Sequence, residues 1–142
     1  MATTRTAEAH WEGALLDGHG EVELTSSGVG RFAVSWPARA EAANGKTSPE
    51  ELIAAAHSTC FSMALSHALA GAGTPPTSVD TTASVTFQPG VGITGSHLDV
   101  AAVVPGINAE QFAEAAENAK LNCPVSKAMT GTTITLTATL VE

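Results

Sequence analysis

Charge is scarce in this 142-residue chain: Asp, Glu, Lys and Arg make up 14% of it, against roughly 25% in an average soluble protein. So little charged material to cover the molecule raises the expectation of a buried subunit interface. What charge there is runs acidic, six Lys and Arg against fourteen Asp and Glu, for a formal net charge of −8. No cluster of basic residues stands anywhere in the chain, which sets nucleic acid and anionic membrane aside as partners. Cysteine is equally sparse. Two cysteines do not make a secreted-type disulfide framework, and no CxxC pair exists for thioredoxin-type exchange within one turn. No Cys/His pairs fall at zinc-ligand spacing, and His57 with Cys60 supplies too few donors, so no metal is expected. A Ser/His/Asp order, a P-loop and a GxGxxG phosphate motif are missing as well.

Long apolar runs are also lacking. The opening MATTRTAEAHWEG does not read as a secretory signal. The least polar stretch, Leu52 to Ala70, is interrupted by His57, Ser58, Thr59, Ser62, Ser66 and His67. It is a poor match to the roughly 20 mostly apolar residues of a membrane span. A cytoplasmic protein is the default expectation. The length predicts one domain over residues 1–142, with about two-thirds of the unfolded chain's surface buried on folding.

What is present is period-two alternation at both ends of the chain. Ala9 and Trp11 alternate with Glu8, His10 and Glu12, and Val22 and Leu24 with Glu21, Glu23 and Thr25. Phe32, Val34 and Trp36 share one face of a third strand. Asp17 to Gly20 and Ser26 to Gly30 are hairpin-like turns between them. Val79 to Phe87 and Leu98 to Val104 alternate in the same way. The clearest strand is the last, with Ile134, Leu136, Ala138 and Leu140 on one face and Thr133, Thr135, Thr137 and Thr139 on the other. Half-buried faces of this kind point to an antiparallel sheet.

Two helices interrupt the strands. Ser48-Pro49-Glu50-Glu51 is a capping box with proline in the first turn, and Gly71 to Gly73 followed by Pro75-Pro76 ends the helix. From Leu52 to Ala70 this helix has no charged face, so burial on most sides is expected. A second opens at Asn108, with Gln111 three residues on, and ends near Leu121. Asn122 to Lys127 resembles a turn entering a short helix. The segment Pro37 to Thr47 reads as a mobile loop. The order β-β-β-α-β-β-α-β makes an α+β class.

On local physics Cys60 reads as a small buried hydrophobe, since it lies far beyond the reach of the helix dipole. Its activation would need a cation from elsewhere. Cys123, at the N-cap of a short helix and near Lys127, has the better surroundings for a thiolate, although an unpartnered turn cysteine is an equal reading. His57 and His67 read as hydrogen-bonded core or interface histidines. Glu50 and Glu51 are explained by capping and the macrodipole. Arg39 reads as an ordinary surface residue or, as one of only three arginines and set in the loop before the helix, as more than that.

The stretch Thr47 to Leu65, TSPEELIAAAHSTCFSMAL, closely resembles the central helix of the OsmC/Ohr family, and Asn122 to Lys127, NCPVSK, its second cysteine motif. His10-Trp11-Glu12-Gly13 and Thr77 to Ala83 look like the OsmC branch. The resemblance covers nearly the whole chain. It implies an OsmC-like α+β fold in which the sheet packs around a buried central helix, assembled as an intertwined homodimer. It also implies a thiol-dependent peroxidase acting on organic hydroperoxides in oxidative or osmotic stress defence, without a cofactor. By the same resemblance Cys60 is the peroxidatic thiol and Cys123 the resolving one. Glu50 matches the motif glutamate, Arg39 its loop arginine, and a lipoyl-type dithiol is the implied reductant. The apolar side chains Trp36, Phe61, Met63 and Phe87 are expected to favour alkyl or lipid hydroperoxides. The alternative of another class is a dimeric module that binds an apolar ligand beside an inert Cys60.

Overall fold

The computed structural model describes residues 1–142. The chain forms two compact units, residues 1–52 and 53–142.

In the first unit, β1 (Glu8–Glu12), β2 (His19–Glu23) and β3 (Arg31–Val34) form an antiparallel meander. The register sets Trp11 opposite Gly20 and Val22 between Ala9 and Phe32. Glycine is needed at position 20 because a Cβ there would collide with the His10 carbonyl and the Trp11 ring. The third strand stops at Val34 and does not include Trp36. Trp36 instead opens α1 (Trp36–Ala40), capped by the Ser35 side chain, which accepts from the Ala38 N–H at 3.3 Å. Serine followed two residues later by proline is a helix start, so the expected loop begins as a helix. Its far end is held too, since the Thr47 N–H donates to the Ala33 carbonyl at 3.0 Å.

Helix α2 (Pro49–Gly71) has its first turn in this unit and continues through the second. The Ser48 hydroxyl accepts from the Glu51 N–H at 3.2 Å. At the other end, Thr74 N–H to Leu69 O and Gly73 N–H to Ala70 O, with Gly73 at φ 83°, close the helix in a Schellman motif.

In the second unit, β4 (Ser78–Gln88) and β5 (Gly92–Val103) form a long antiparallel hairpin, and β6 (Thr133–Leu140) lies on the far side of β5. β6 runs parallel to β5, with Leu98 beside Leu136. The expected single antiparallel sheet is therefore two three-stranded sheets, one of them mixed. Parallel pairing requires a crossover, supplied here by α3 (Ala109–Asn122) and α4 (Pro124–Ala128). The Asn108 and Gln111 side chains complete a reciprocal capping box at the start of α3. The core joins Phe61 and Leu65 of α2 to Leu98 and Val100 of β5 and to Phe112 and Ala116 of α3.

Helix α2 departs from the expected burial on most sides. Within this chain it is buried along one stripe, His57, Phe61, Leu65 and Leu69, while Met63 on another face is 67% exposed. Four-residue spacing puts the stripe on one side of a 3.6-residue helix. From Leu52 to Ala70 the other sides carry no charge, and Met63, His67 and Ala70 stand exposed there, although Ser62 reaches Thr81 of β4 at 2.7 Å.

Candidate active site

Cys123 is the residue at which α3 ends and α4 begins. Its N–H donates to the Ala119 carbonyl at 2.8 Å, and its carbonyl accepts from the Lys127 N–H at 3.0 Å. Standing before Pro124, it takes the extended conformation (φ −58°, ψ 124°) that proline imposes on its predecessor. The expected short helix is present, with Cys123 at its N-cap. The side chain is fully buried and points to the middle of α2, where Cys60 is half-buried. Both cysteines are free thiols, and their side chains lie within hydrogen-bonding reach. The Val125 backbone N–H, in the first turn of α4, also reaches the Cys60 sulfur.

These contacts oppose one another electrically. Burial pushes the Cys60 thiol above its ordinary range, and the Cys123 sulfur adds to that rise. The Val125 N–H favours the thiolate and pulls it back. Burial dominates, so the pair's immediate surroundings hold Cys60 as a thiol.

In the first unit a second pair forms. Arg39 in the last turn of α1 grips Glu50 in the first turn of α2: Nε lies 3.0 and 3.2 Å from the two carboxylate oxygens, and Nη2 lies 2.8 Å from Oε1. Glu50 is only 7% exposed, so this is a fork-shaped, largely desolvated ion pair of the strong kind. Glu50 thus does more than cap the helix, and Arg39 is no ordinary surface residue. Glu51 performs the local role, accepting from the Thr47 hydroxyl at 2.6 Å. Beside the pair is a cavity of about 280 Å³ lined by Trp11, Val22, Val34, Trp36, Arg39 and Leu52 among others.

The four apolar candidates fare differently. Trp36 lines the cavity beside Arg39. Met63 lines a cleft of about 670 Å³ in the second unit, together with Cys60, His67, Asn118 and Asn122. Phe61 is 0% exposed at the centre of the core, because a residue next to Cys60 points some 100° away from it on a helix. Phe87 is half-buried on β4 beside a register shift, opposite Ile93. Neither phenylalanine lines these two cavities.

Three contributors escaped the sequence reading. The Val125 N–H has no side-chain signature. Asn118 and Asn122 were legible only as an i, i+4 pair on the helix before Cys123. His57 is the buried, hydrogen-bonded histidine expected, with Nδ1 2.7 Å from Ser96 Oγ and Nε2 2.8 Å from Ser126 Oγ. Its partners stand 39 and 69 residues away and could not be named beforehand. Burial lowers its pKa, keeping the imidazole neutral.

A half-buried thiol beside a buried one on an α+β scaffold, with an arginine gripped by a carboxylate in the first turn of the helix that carries Cys60, describes a class of thiol redox proteins. The family model for OsmC-like proteins matches residues 42–138, and the chain belongs to the OsmC family. It is 42% identical over 132 residues to the peroxiredoxin OsmC of Escherichia coli K12, spanning 91% of this chain and 92% of that one. Among solved structures it is similar to an organic hydroperoxide resistance protein OsmC from Legionella pneumophila, with 25% identity, a TM-score of 0.72 and 98% of each chain covered. An organic hydroperoxide resistance protein from Elizabethkingia anophelis is 28% identical, with a TM-score of 0.70, over 99% of this chain and 100% of that one.

Proposed function

We propose that this protein is a thiol peroxidase that reduces organic hydroperoxides to alcohols. The observation that carries the reading is the pair of free thiols, Cys60 and Cys123, held within reach of each other in one unit. The names of the relatives agree with it. The Cys60 thiolate attacks the distal peroxide oxygen; the O–O bond breaks, the alkoxide takes a proton and leaves as alcohol, and Cys60 becomes a sulfenic acid. The Cys123 sulfur then displaces hydroxide from that sulfur, which leaves as water and gives the Cys60–Cys123 disulfide. An external dithiol, of lipoyl type by the resemblance, reopens it by exchange and is itself oxidised.

Arg39, with Glu50 holding its guanidinium, is the cation that Cys60 needs to ionise. Glu50 lies ten residues before Cys60 on α2, about 15 Å along the helix axis, too far for one side chain to bridge. The pair therefore serves the partner subunit's Cys60 in a homodimer. Support for a dimer comes from the low charge content, the uncovered faces of α2 and the exposed Trp11, Phe32 and Met63. Trp36 and Met63 are the apolar groups that select alkyl or lipid hydroperoxides over hydrogen peroxide. The cycle belongs in the cytoplasm, where a dithiol reductant is at hand.

Thiol titration after one equivalent of cumene hydroperoxide tests the reading. The expected result is loss of both thiols without cross-linking between chains. Two unreacted thiols would overturn it and favour the apolar-ligand module, for which the cleft beside Cys60 and Met63 is the candidate site.

A further inference from the structure

The peroxidase cycle makes no use of His57, yet His57 is wholly buried three residues before Cys60. Its two ring nitrogens bridge β5 and α4 through Ser96 and Ser126. Neither nitrogen meets a carboxylate, and both hydroxyls can donate or accept, so a neutral ring is satisfied in either tautomer. Ser126 is the only buried residue of α4, itself a helix of five residues. A hydrogen bond to a buried imidazole therefore anchors this helix in addition to the packing of Val125 against the core. Two rungs then connect α2 with α4. His57 meets Ser126, and three residues on along α2 Cys60 meets Cys123, the N-cap of α4 three residues before Ser126, and the Val125 N–H.

We propose that His57 is a positioning residue for the thiol pair: through Ser126 it fixes the first turn of α4, and so holds Cys123 and the Val125 N–H against Cys60. The proposal rests on Cys123 being the resolving thiol. Without the anchor, Cys60 would still meet hydroperoxide, but its sulfenic acid would wait for Cys123. Resolution is thus the step that depends on His57 through Nε2, while the link to Ser96 only orients the ring.

That asymmetry makes the test. A glutamine amide can stand in for Nε2 and an asparagine amide for Nδ1, so His57→Gln retains the Ser126 link and His57→Asn retains only the Ser96 link. In the reduced dimeric protein, single-turnover disulfide formation should slow roughly tenfold in His57→Asn and Ser126→Ala, as expected for one lost buried hydrogen bond. Sulfenic acid should accumulate in both variants and be captured by dimedone. His57→Gln should stay near the wild-type rate. Equal behaviour of Gln and Asn, or slowing of peroxide attack and resolution in the same proportion in Ser126→Ala, would overturn the proposal. A second readout does not need the peroxidase reading. Alkylation of Cys60 against pH should shift its midpoint upward in Ser126→Ala, because the Val125 N–H is no longer held on the sulfur. An unchanged midpoint counts against the positioning role. Wild-type protein that forms neither sulfenic acid nor disulfide, with the midpoint shift intact, would instead mean that the peroxidase reading had failed.

Discussion

Cys60 is held by opposing local forces, and its reactivity follows from their balance. Burial and the Cys123 sulfur keep the proton on, and only the Val125 N–H draws it off. If Arg39 supplies the missing charge, Arg39→Ala should raise the alkylation midpoint of Cys60 and slow the first oxidation step by at least about tenfold, since one unit of pKa is a factor of ten in thiolate. Stopped-flow oxidation and pH-dependent alkylation check the two effects. Cys123→Ser should leave that first step nearly intact and stop the cycle at sulfenic acid, visible as one dimedone adduct per chain by mass spectrometry. His57 gives a different pH signature. Its folded pKa lies below the ordinary imidazole value of about 6.5, because burial disfavours the charged ring. The unfolded chain therefore binds the proton first. Stability is complete above about 6.5 and declines as pH falls through the window between the unfolded and folded values. Urea midpoints at pH 7.5 and 5.5 should fall further apart in the wild type than in His57→Gln.

At the scale of elements, caps and packing do most of the positioning. Asn108→Ala removes one half of the α3 capping box and should cost about 1 kcal/mol, read as a lower thermal midpoint. Because α3 delivers the chain to Cys123, resolution should slow as well. Phe61 tests the division between packing and substrate contact. It is fully buried between α2 and its sheet, so Phe61→Ala should cost roughly 3–5 kcal/mol in stability. Where the variant remains folded, the ratio of rates on cumene hydroperoxide and hydrogen peroxide should not change. A matched Met63→Ala variant, altering a 67% exposed side chain in the cleft at Cys60, should lower that ratio with little loss of stability.

For the whole molecule the question is which chain completes which site. Mixed dimers of Glu50→Ala and Cys60→Ser chains should regain half the sites, because one intact Cys60 then faces one intact Arg39–Glu50 pair. Recovery is read as hydroperoxide turnover after subunit exchange, and no recovery would sink the shared site. The same arrangement requires the wild type to be dimeric by light scattering at the enzyme concentrations where it turns over. A dimer sealed by apolar faces such as those of α2 should persist at high salt, since screening acts on charges and leaves apolar burial untouched.

Much of this molecule was written locally. Alternation marked the strands, Ser48-Pro49 and Asn108 with Gln111 marked two helix starts, and the Gly71–Gly73 stretch marked a helix end. Each depends on contacts within a few residues, which a linear pattern records directly. The cysteine motifs suggest a reacting pair only through a family resemblance; local physics alone favours Cys123 over Cys60 as the thiolate. The tertiary structure decided the rest. Period-two alternation is the same in either strand direction, so only the α3–α4 crossover made β6 parallel to β5. Trp36 alternated with the strand before it, but Ser35 and Pro37 turned it into a helix. The pairing of Cys60 with Cys123, of Arg39 with Glu50, and of His57 with two distant serines depended on where packed elements brought buried polar groups to be satisfied. That is a long-range requirement, which no short stretch of sequence contains.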